Sequence, residues 1–324
     1  MRAKLFFPFG MAVAIGVLGL FGTQSMAAEK FPNKPIQVII PFQPGDTDNL
    51  LRPFVEKMGE FLGQPVSLVY KPGAAGAVGA GFVAASKPDG YVMVGTSQSS
   101  IVVVPLTNKD VGYTLESFAP VAALVASDSL LVVQSSSPWK TLKDLVEDSK
   151  KSPGKITYTS SGTFGVNHLI PEALCKEAGI KWTHIPSLGS GPAITAVLGG
   201  HVNMASTAIA PALPHIQAGT LRPLAVFGVN RLKAFPDVPT LKELGYNISS
   251  PGYYGISAPK GTPKEVVNAI YAAAKKAVEK YNDQIATRLA SLGVEIKLLG
   301  PEEYAVYLKS QNDLFSGVLK TLKK

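Results

Sequence analysis

The sequence predicts an α/β protein whose chain forms two lobes around a cleft. Short apolar runs of strand length alternate with helical patterns from Ile36 onward, which favours sheets that are mainly parallel. Two stretches indicate crossings between the lobes: the apolar run 121–134, which is interrupted by polar residues at 127–129, and the turn-rich segment 249–255. Two crossings create a hinge that can close over a ligand.

The first 27 residues have the layout of a secretory signal peptide. Arg2 and Lys4 precede an apolar core, and Ser25 and Ala27 occupy the −3 and −1 positions of a cleavage site. A membrane anchor is the alternative, but the apolar core is short and interrupted by glycine. Cleavage after residue 27 of 324 would leave 297 residues beginning near Ala28, which is enough for two domains.

Composition argues against nucleic-acid binding. Removal of Arg2 and Lys4 with the signal peptide leaves 29 basic and 23 acidic side chains, a net charge of +6. The lysines are scattered, and no aromatic residues are interleaved with a basic stripe. A basic surface of this kind attracts anionic ligands instead. The single cysteine, Cys175, lies in an apolar helical pattern and is expected to be a packed thiol.

Ten apolar runs bounded by turn residues predict the strands. They are Ile36–Ile40, Val66–Tyr70, Val92–Gly95, Leu130–Gln134, Ile156–Ser160, Trp182–Ile185, Val202–Thr207, Leu224–Phe227, Tyr254–Ala258 and Val294–Leu298.

The helices are predicted from apolar periodicity and from their capping residues. Residues 49–62 predict an amphipathic helix, and a capping box from Thr240 to Glu243 predicts another that Gly245 stops. Thr262, followed by proline and glutamate, predicts the N-cap of a further helix. The positions expected to face inward are Val267, Ile270, Ala274, Ala277 and Tyr281, and, in a last helix from Pro301, Tyr304, Leu308, Leu314, Phe315, Val318 and Leu322.

Four polar or glycine-rich segments follow predicted strands and could present backbone N–H groups to one cleft. Segment 41–48 lies between a strand and a helix N-terminus, an arrangement that binds anions without a metal or a nucleophile. Segment 71–81 is glycine-rich but lacks dinucleotide-loop and P-loop spacing, so close helix–sheet packing is the favoured explanation. Segments 95–100 and 159–168 are rich in hydroxyl groups. Ordinary polar loops explain any one segment, but four at strand ends favour a ligand cleft.

The sequence predicts no enzyme, cofactor or metal site. Its candidate serines are not in a G-x-S-x-G motif, and its four histidines show no metal-ligand spacing. Asp46 and Asp48 could pair as acid and base, but their place at a helix N-terminus favours capping.

Short motifs follow one another over essentially the whole predicted mature chain. They include Pro41-Phe42 with Gly45 and Asp48, Gly63-Gln64-Pro65-Val66, Lys71-Pro72-Gly73-Ala74, Pro88-Asp89-Gly90-Tyr91, Ser160-Ser161-Gly162, Gly189-Ser190-Gly191-Pro192-Ala193 and Phe235-Pro236-Asp237-Val238-Pro239-Thr240. In this order they resemble the Bug family of periplasmic solute receptors, which serve tripartite tricarboxylate transporters.

The resemblance implies a two-lobed periplasmic-binding-protein fold of the Venus-flytrap type II, with two crossing strands. Lobe I would consist of 28–126 and 253–324, and lobe II of 127–252. It further implies a periplasmic monomer that holds a small organic carboxylate and delivers it to the membrane subunits of the transporter. Two alternatives stay open: a chemosensory or signalling receptor of the same fold, and a secreted hydrolase.

In the family, the loops that correspond to segments 41–48 and 95–100 bind one carboxylate, partly through ordered waters. The resemblance therefore also implies site residues. In lobe I they are Gln43, Pro44, Gly45, Asp48, Thr96, Ser97 and Gln98. In lobe II they are Ser160, Ser161, Thr163, Phe164, Gly189, Ser190, Gly191 and Thr207.

The chain departs from the family pattern at two places. Gly45 is followed directly by Asp46, which puts an extra carboxylate beside the expected anion site unless that side chain points away. Ser206 and Thr207 stand where the family often has an aspartate deep in the cleft. An amine on the ligand would lose its counter-charge there. A carboxylate, dicarboxylate or aromatic acid is therefore expected, with Phe164 as a stacking face.

Overall fold

The computed structural model describes residues 31–187 and 189–322. The predicted signal peptide lies outside these residues and stays a prediction. Within them, every helix is too short or too polar to span a bilayer.

Eleven strands and nine α-helices are found in the described part of the chain. The strands are β1 (Ile36–Ile40), β2 (Val66–Tyr70), β3 (Val92–Thr96), β4 (Phe118–Ala126), β5 (Ser129–Gln134), β6 (Thr157–Ser160), β7 (Thr183–Pro186), β8 (Met204–Ala208), β9 (Leu221–Val226), β10 (Tyr253–Pro259) and β11 (Glu295–Leu299). The helices are α1 (Asp46–Leu62), α2 (Ala77–Ala84), α3 (Val104–Thr107), α4 (Leu142–Lys151), α5 (Val166–Ala178), α6 (Ser190–Leu198), α7 (Ile209–Gln217), α8 (Lys264–Ala290) and α9 (Pro301–Leu322). All ten predicted strands are present, with ends that differ by a few residues.

The strands form two sheets, one of six strands in the order β11-β4-β10-β3-β1-β2 and one of five in the order β7-β6-β8-β5-β9. Pairs β1–β2, β1–β3, β6–β7 and β6–β8 are parallel, whereas β10 runs antiparallel to β3 and β4, and β5 runs antiparallel to β8 and β9. The prediction of mainly parallel sheets is therefore wrong, and both sheets are mixed. The chain leaves the first sheet through β4 and returns through β10, so these neighbours run in opposite directions.

The two segments that run between the sheets are joined to each other. Ser127 N–H donates to the carbonyl of Gly252 at 2.7 Å, and Gly252 N–H donates to the Asp128 carboxylate at 2.7 Å. A Cβ on Gly252 would lie 2.0 Å from Ser127 O, so this approach requires glycine. The first segment thus packs backbone to backbone against the second.

The helices follow the predicted apolar faces except at Tyr281, which was expected inward but lies half-buried at a kink in α8. In α1, Leu50, Leu51, Phe54 and Met58 are fully buried, and α1 packs against α8. The glycine-rich helix α2 packs closely against the end of β1. A Cβ on Gly79 would lie only 2.8 Å from Pro41 Cα, so this approach requires glycine. This supports the packing explanation for the glycines of 71–81.

Two helix predictions need correction. Thr240 and Glu243 do form the reciprocal hydrogen bonds of a capping box, but residues 241–245 form a turn. Leu244 N–H donates to Thr240 O, four residues back, but Gly245 N–H donates to Lys242 O, three residues back, so the helical pattern ends after one turn. Thr262 does not cap α8, because its hydroxyl donates to Pro259 O and the helix begins at Lys264.

Candidate functional site

Loops from the two sheets meet at one place in the molecule. Strand β3 belongs to the first sheet and β6 to the second. A Cβ on Gly165, which follows β6, would lie 3.9 Å from Ser99 Oγ, which follows β3. Helix α5 also packs against α9. The predicted segments 95–100 and 159–168 therefore lie against each other.

Asp48 fixes the shape of the first loop. One of its carboxylate oxygens accepts the Gly45 N–H at 2.5 Å, and the other accepts from Tyr70 OH at 2.8 Å and Arg52 at 3.0 Å. Burial raises the pKa of Asp48, but the hydrogen bonds from Gly45, Arg52 and Tyr70 outweigh it, and the pKa lies below its ordinary value. The carboxylate is therefore ionised and occupied by three protein donors.

Two of the three predicted residues at the end of β3 bind distant parts of the chain. The buried hydroxyl of Thr96 lies 2.7 Å from Tyr304 OH. The Gln98 amide donates to Gln311 Oε1 at 2.8 Å and to Ser250 Oγ at 3.2 Å. Ser250 also donates to Gln311, at 3.1 Å. These bonds connect the end of β3 to α9 and to the second crossing segment.

Ser97 and Ser206 carry buried hydroxyl groups that no protein atom of the described chain pairs. Ser206 on β8 lies in register with Ser160 on the neighbouring parallel strand β6. The next side chain, Thr207, is fully buried and donates to Ala208 O at 3.3 Å. Because an unpaired buried hydroxyl costs about 1–3 kcal/mol, such groups are candidates for contact with a ligand or a water.

The turn after β6 rests on two histidines. Ser160 Oγ lies 2.8 Å from Gly162 O and 2.8 Å from His184 Nε2. Phe164 N–H donates to His168 Nδ1 at 3.0 Å. The Phe164 side chain is 49% exposed, so its ring is available for contact.

The other predicted site residues lie in the first loop, in the turn after β6 and at the start of α6. Gln43, Pro44, Ser161, Thr163 and Gly191 are exposed, and Gly189 and Ser190 are half-buried. The side chain of Asp46 lies outside what the structure describes, so its direction stays a prediction.

Comparison with known proteins decides the family. Residues 50–321 match the sequence profile of the family described as "Tripartite tricarboxylate transporter family receptor". The chain belongs to this family. The receptor is 35% identical over 301 residues to the UPF0065 protein in the gbd 5' region of Cupriavidus necator, covering 92% of this chain and 90% of that one. It is 30% identical over 320 residues to Protein BugT of Bordetella pertussis, covering 96% and 97%. The resemblance to the Bug family is thus confirmed.

Solved structures confirm the two-lobed periplasmic-binding-protein fold. The receptor is 37% identical to a structure described as a periplasmic transporter, with a TM-score of 0.79 over 90% of this chain and 97% of that one. It is 26% identical to Rhodopseudomonas palustris Rpa4515 with adipate, with a TM-score of 0.79 over 90% of this chain and 98% of that one. It is also 26% identical to MatC of the same organism with bound malate, with a TM-score of 0.77 over 89% of this chain and 99% of that one. The receptor is therefore a solute-binding protein of the tripartite tricarboxylate transporter family.

Neutral groups dominate the receptor's candidate site. Among the predicted site residues Asp48 is the single acid, and Arg52 pairs with it. No cluster of three His, Cys, Asp or Glu side chains within 31–187 and 189–322 could hold a metal ion. The site therefore offers hydroxyls, amides and helix N-termini as hydrogen-bond donors.

Sequence reasoning missed several residues that hold the site together. Tyr304 and Gln311 lie on α9, more than 200 positions after their partners Thr96, the last residue of β3, and Gln98, two residues further on. Tyr304 was expected inward as core, but nothing in the sequence indicates its bond to Thr96. His184 had one usable signal: it lies in a predicted strand parallel to the strand that ends at Ser160.

Proposed function

We propose that the receptor binds an organic carboxylate that lacks an amine, such as a di- or tricarboxylate or an aromatic acid. The ligand would lie between lobe I (28–126 and 253–324) and lobe II (127–252) and pass to the membrane subunits of a tripartite tricarboxylate transporter. The observations that carry the proposal are the buried, unpaired hydroxyl of Ser97, which follows β3, and that of Ser206 on β8, which lies in register with Ser160 at the end of β6.

Neutral donors suffice to bind a carboxylate when they converge. A hydroxyl or backbone N–H that donates to an ionised oxygen forms a bond roughly twice as strong as a neutral pair. The N-termini of α1 and α5 follow the first loop and the β6 turn. The first N–H groups of a helix have no partner within the helix, and together with the helix dipole they favour an anion. Closure of the lobes would exclude water and strengthen these interactions.

Ser206 and Thr207, which stand where the family pattern often has an aspartate, support an amine-free ligand. An ammonium group buried there would have hydroxyls but no counter-charge, because Asp48 is already paired with Arg52. The ligands in the related structures, adipate and malate, are also dicarboxylates without an amine. The half-exposed ring of Phe164 offers an apolar face for the middle of such a ligand or for an aromatic acid.

Lobe motion would act at the paired crossing segments. The bonds between Ser127, Asp128 and Gly252 lie where the chain passes from one sheet to the other. Rotation about a small number of backbone torsions there could change the angle between the sheets while each sheet stays intact. These bonds support a hinge at the boundaries proposed for the two lobes.

A thermal-shift screen followed by titration calorimetry tests the proposal. A ligand that binds only the folded receptor raises its melting temperature. Adipate, malate, citrate and benzoate represent the proposed class, and glutamate, aspartate and lysine provide amine-bearing controls. Stabilisation by amino acids with no response to any amine-free acid would contradict the proposed ligand class.

Delivery to a transporter needs a separate measurement. Uptake of the identified acid, labelled with carbon-14, should require both the receptor and the two membrane subunits. Uptake that is unchanged without the receptor would contradict delivery even if the acid binds. The family is one of solute-binding receptors and not of enzymes, so the secreted hydrolase is not favoured.

A further inference from the structure

Two histidines lie stacked beneath the turn that follows β6. His168 is in the first turn of α5 and is 8% exposed, and His184 is on β7. Their ring centroids are 4.1 Å apart, with an angle of 24° between the planes. Neither has a role in the proposed ligand contacts.

Each histidine holds one end of this turn. Ser160 has a single hydroxyl proton but two partners, Gly162 O and His184 Nε2, each at 2.8 Å. Both contacts are hydrogen bonds if Ser160 donates to Gly162 O and His184 Nε2–H donates to Ser160 Oγ. At the other end His168 Nδ1 accepts Phe164 N–H at 3.0 Å, which places the proton of His168 on Nε2.

The turn needs such support because its backbone is strained. Phe164 has φ of +59°, in the left-handed region that costs a side-chain-bearing residue about 1–2 kcal/mol. The hydrogen bond to His168 offsets this cost, and the Phe164 ring also contacts the His168 ring edge-on at 5.6 Å between centroids. Loss of the bond would favour another conformation of the turn.

The surroundings keep both imidazoles neutral. Burial lowers the pKa of His168, and burial together with the neighbouring His168 lowers the pKa of His184 to about 4. The titratable groups that face the pair are Tyr158, Glu172 and Cys175. Burial raises the pKa of Tyr158 well above its ordinary value and raises the pKa of Cys175 to about 12, so both groups are uncharged. Glu172 Oε1 accepts from Tyr158 OH at 2.7 Å and lies 3.9 Å from His168 Nε2.

We propose that His168 and His184 are positioning residues. Their hydrogen bonds stabilise the Ser160–Phe164 turn in the conformation that binds the carboxylate. This inference rests on the proposed function for its effect on binding, but not for its effect on the turn. A proton added to His168 Nδ1 would set a donor against Phe164 N–H. Two charged rings stacked at 4.1 Å would also repel each other. Acid should therefore release the turn and weaken binding.

Paired substitutions separate this role from simple packing. In His168→Asn the Oδ1 atom can replace Nδ1 as acceptor, whereas His168→Phe keeps a ring but removes the acceptor. In His184→Gln the Nε2 group can replace the imidazole donor, and His184→Phe removes it. His201→Phe, at an exposed histidine before the other end of β8, is the matched control.

Titration calorimetry with adipate and with malate measures the effect on binding. The two phenylalanine variants should lose at least about fivefold in affinity, with His168→Asn and His184→Gln close to the unsubstituted receptor. Affinity of the unsubstituted receptor should fall between pH 6.5 and 4, and less so in His168→Asn. Phenylalanine variants that bind as tightly as the receptor, or polar variants no better than them, would overturn the inference.

Hydrogen exchange of the Phe164 amide decides the matter without a ligand. The amide should be protected in the free receptor and in His168→Asn, and should exchange at least about tenfold faster in His168→Phe. Equal exchange rates would overturn the inference whatever the ligand. A protected amide with no binding of any acid would contradict the proposed function and leave the role of the histidines in the turn supported.

Discussion

The Asp128 carboxylate accepts the backbone N–H of Gly252 at 2.7 Å and so ties together the two segments that run between the sheets. Burial raises the pKa of Asp128 to about 6, and nearby Glu295 adds to the rise, although the Gly252 N–H opposes it. The carboxylate is therefore charged at neutral pH at a cost to stability. The connection between the lobes contains a group that titrates near physiological pH.

Asp128→Asn should remove a pH-dependent loss of stability. A folded-state pKa above the unfolded value means that the native state binds more protons between about pH 4 and 6, so stability falls as pH rises through that window. From pH 4 to 7 the unfolding free energy of the receptor should drop relative to that of Asp128→Asn by up to about 3 kcal/mol. Urea unfolding of both proteins at several pH values measures this. A constant difference would show that Asp128 does not titrate there.

Gly252→Ala should damage the same connection by steric overlap. The new Cβ would lie 2.0 Å from Ser127 O, and relief of this clash must break the bond between Ser127 N–H and Gly252 O. We expect a loss of about 2–4 kcal/mol in unfolding free energy by denaturant titration. The control is Gly317→Ala in α9, where a Cβ meets nothing within 4 Å and helix propensity predicts a gain of about 0.5–1 kcal/mol. Equal effects of the two substitutions would refute the clash.

How far the sequence predicts the receptor depends on the range of the interaction. Strands such as Ile36–Ile40 are predicted because side-chain burial in a sheet leaves a local apolar pattern. The loops of the site are predicted because each follows a strand. The direction of β10 is not predicted, since it depends on the return of the chain from the second sheet.

The contacts within the site escape sequence reasoning for the same reason. Gln98 and Gln311 are separated by 213 positions, and neither has a local pattern that identifies a partner. Asp48 was expected both to cap α1 and to bind ligand. Its cap on Gly45 is present, but its bonds to Tyr70 and Arg52 depend on the register of β1 and β2. Whether it also touches a ligand stays a prediction.

Asp48→Asn should loosen the first loop and lower ligand affinity together. The neutral amide weakens the bonds from Gly45, Arg52 and Tyr70, with an expected loss of about 1–3 kcal/mol of stability at pH 7. Because the folded-state pKa of Asp48 is lowered, its contribution is present above about pH 4 and is lost as pH falls further. Unfolding at pH 7 and pH 3 should show the difference shrinking in acid. A difference that persists at pH 3 would assign the effect to shape and not to charge.

Ser97→Ala and Ser206→Ala should weaken binding without harming the free receptor. Each hydroxyl is buried and unpaired within the described chain, so its removal should leave the stability of the ligand-free protein unchanged or raise it by up to about 1 kcal/mol. If each hydroxyl donates to the ligand, affinity for the acid found in the screen should fall about fivefold to twentyfold. Thermal unfolding and calorimetry of the same samples give the two numbers.

Ser257→Ala is the matched control for this opposite response. Ser257 Oγ is also buried and without a hydrogen-bond partner. Ser257 lies on β10 in register with Val94, two residues before the end of β3 at Thr96. Its removal should affect free-state stability as the other two do and leave affinity unchanged. If all three variants keep full affinity, the unpaired hydroxyls of Ser97 and Ser206 are not ligand donors. The carboxylate would then depend on backbone N–H groups at the N-termini of α1 and α5 alone, and the β6 turn, held at Phe164 by His168, would be the next segment to test.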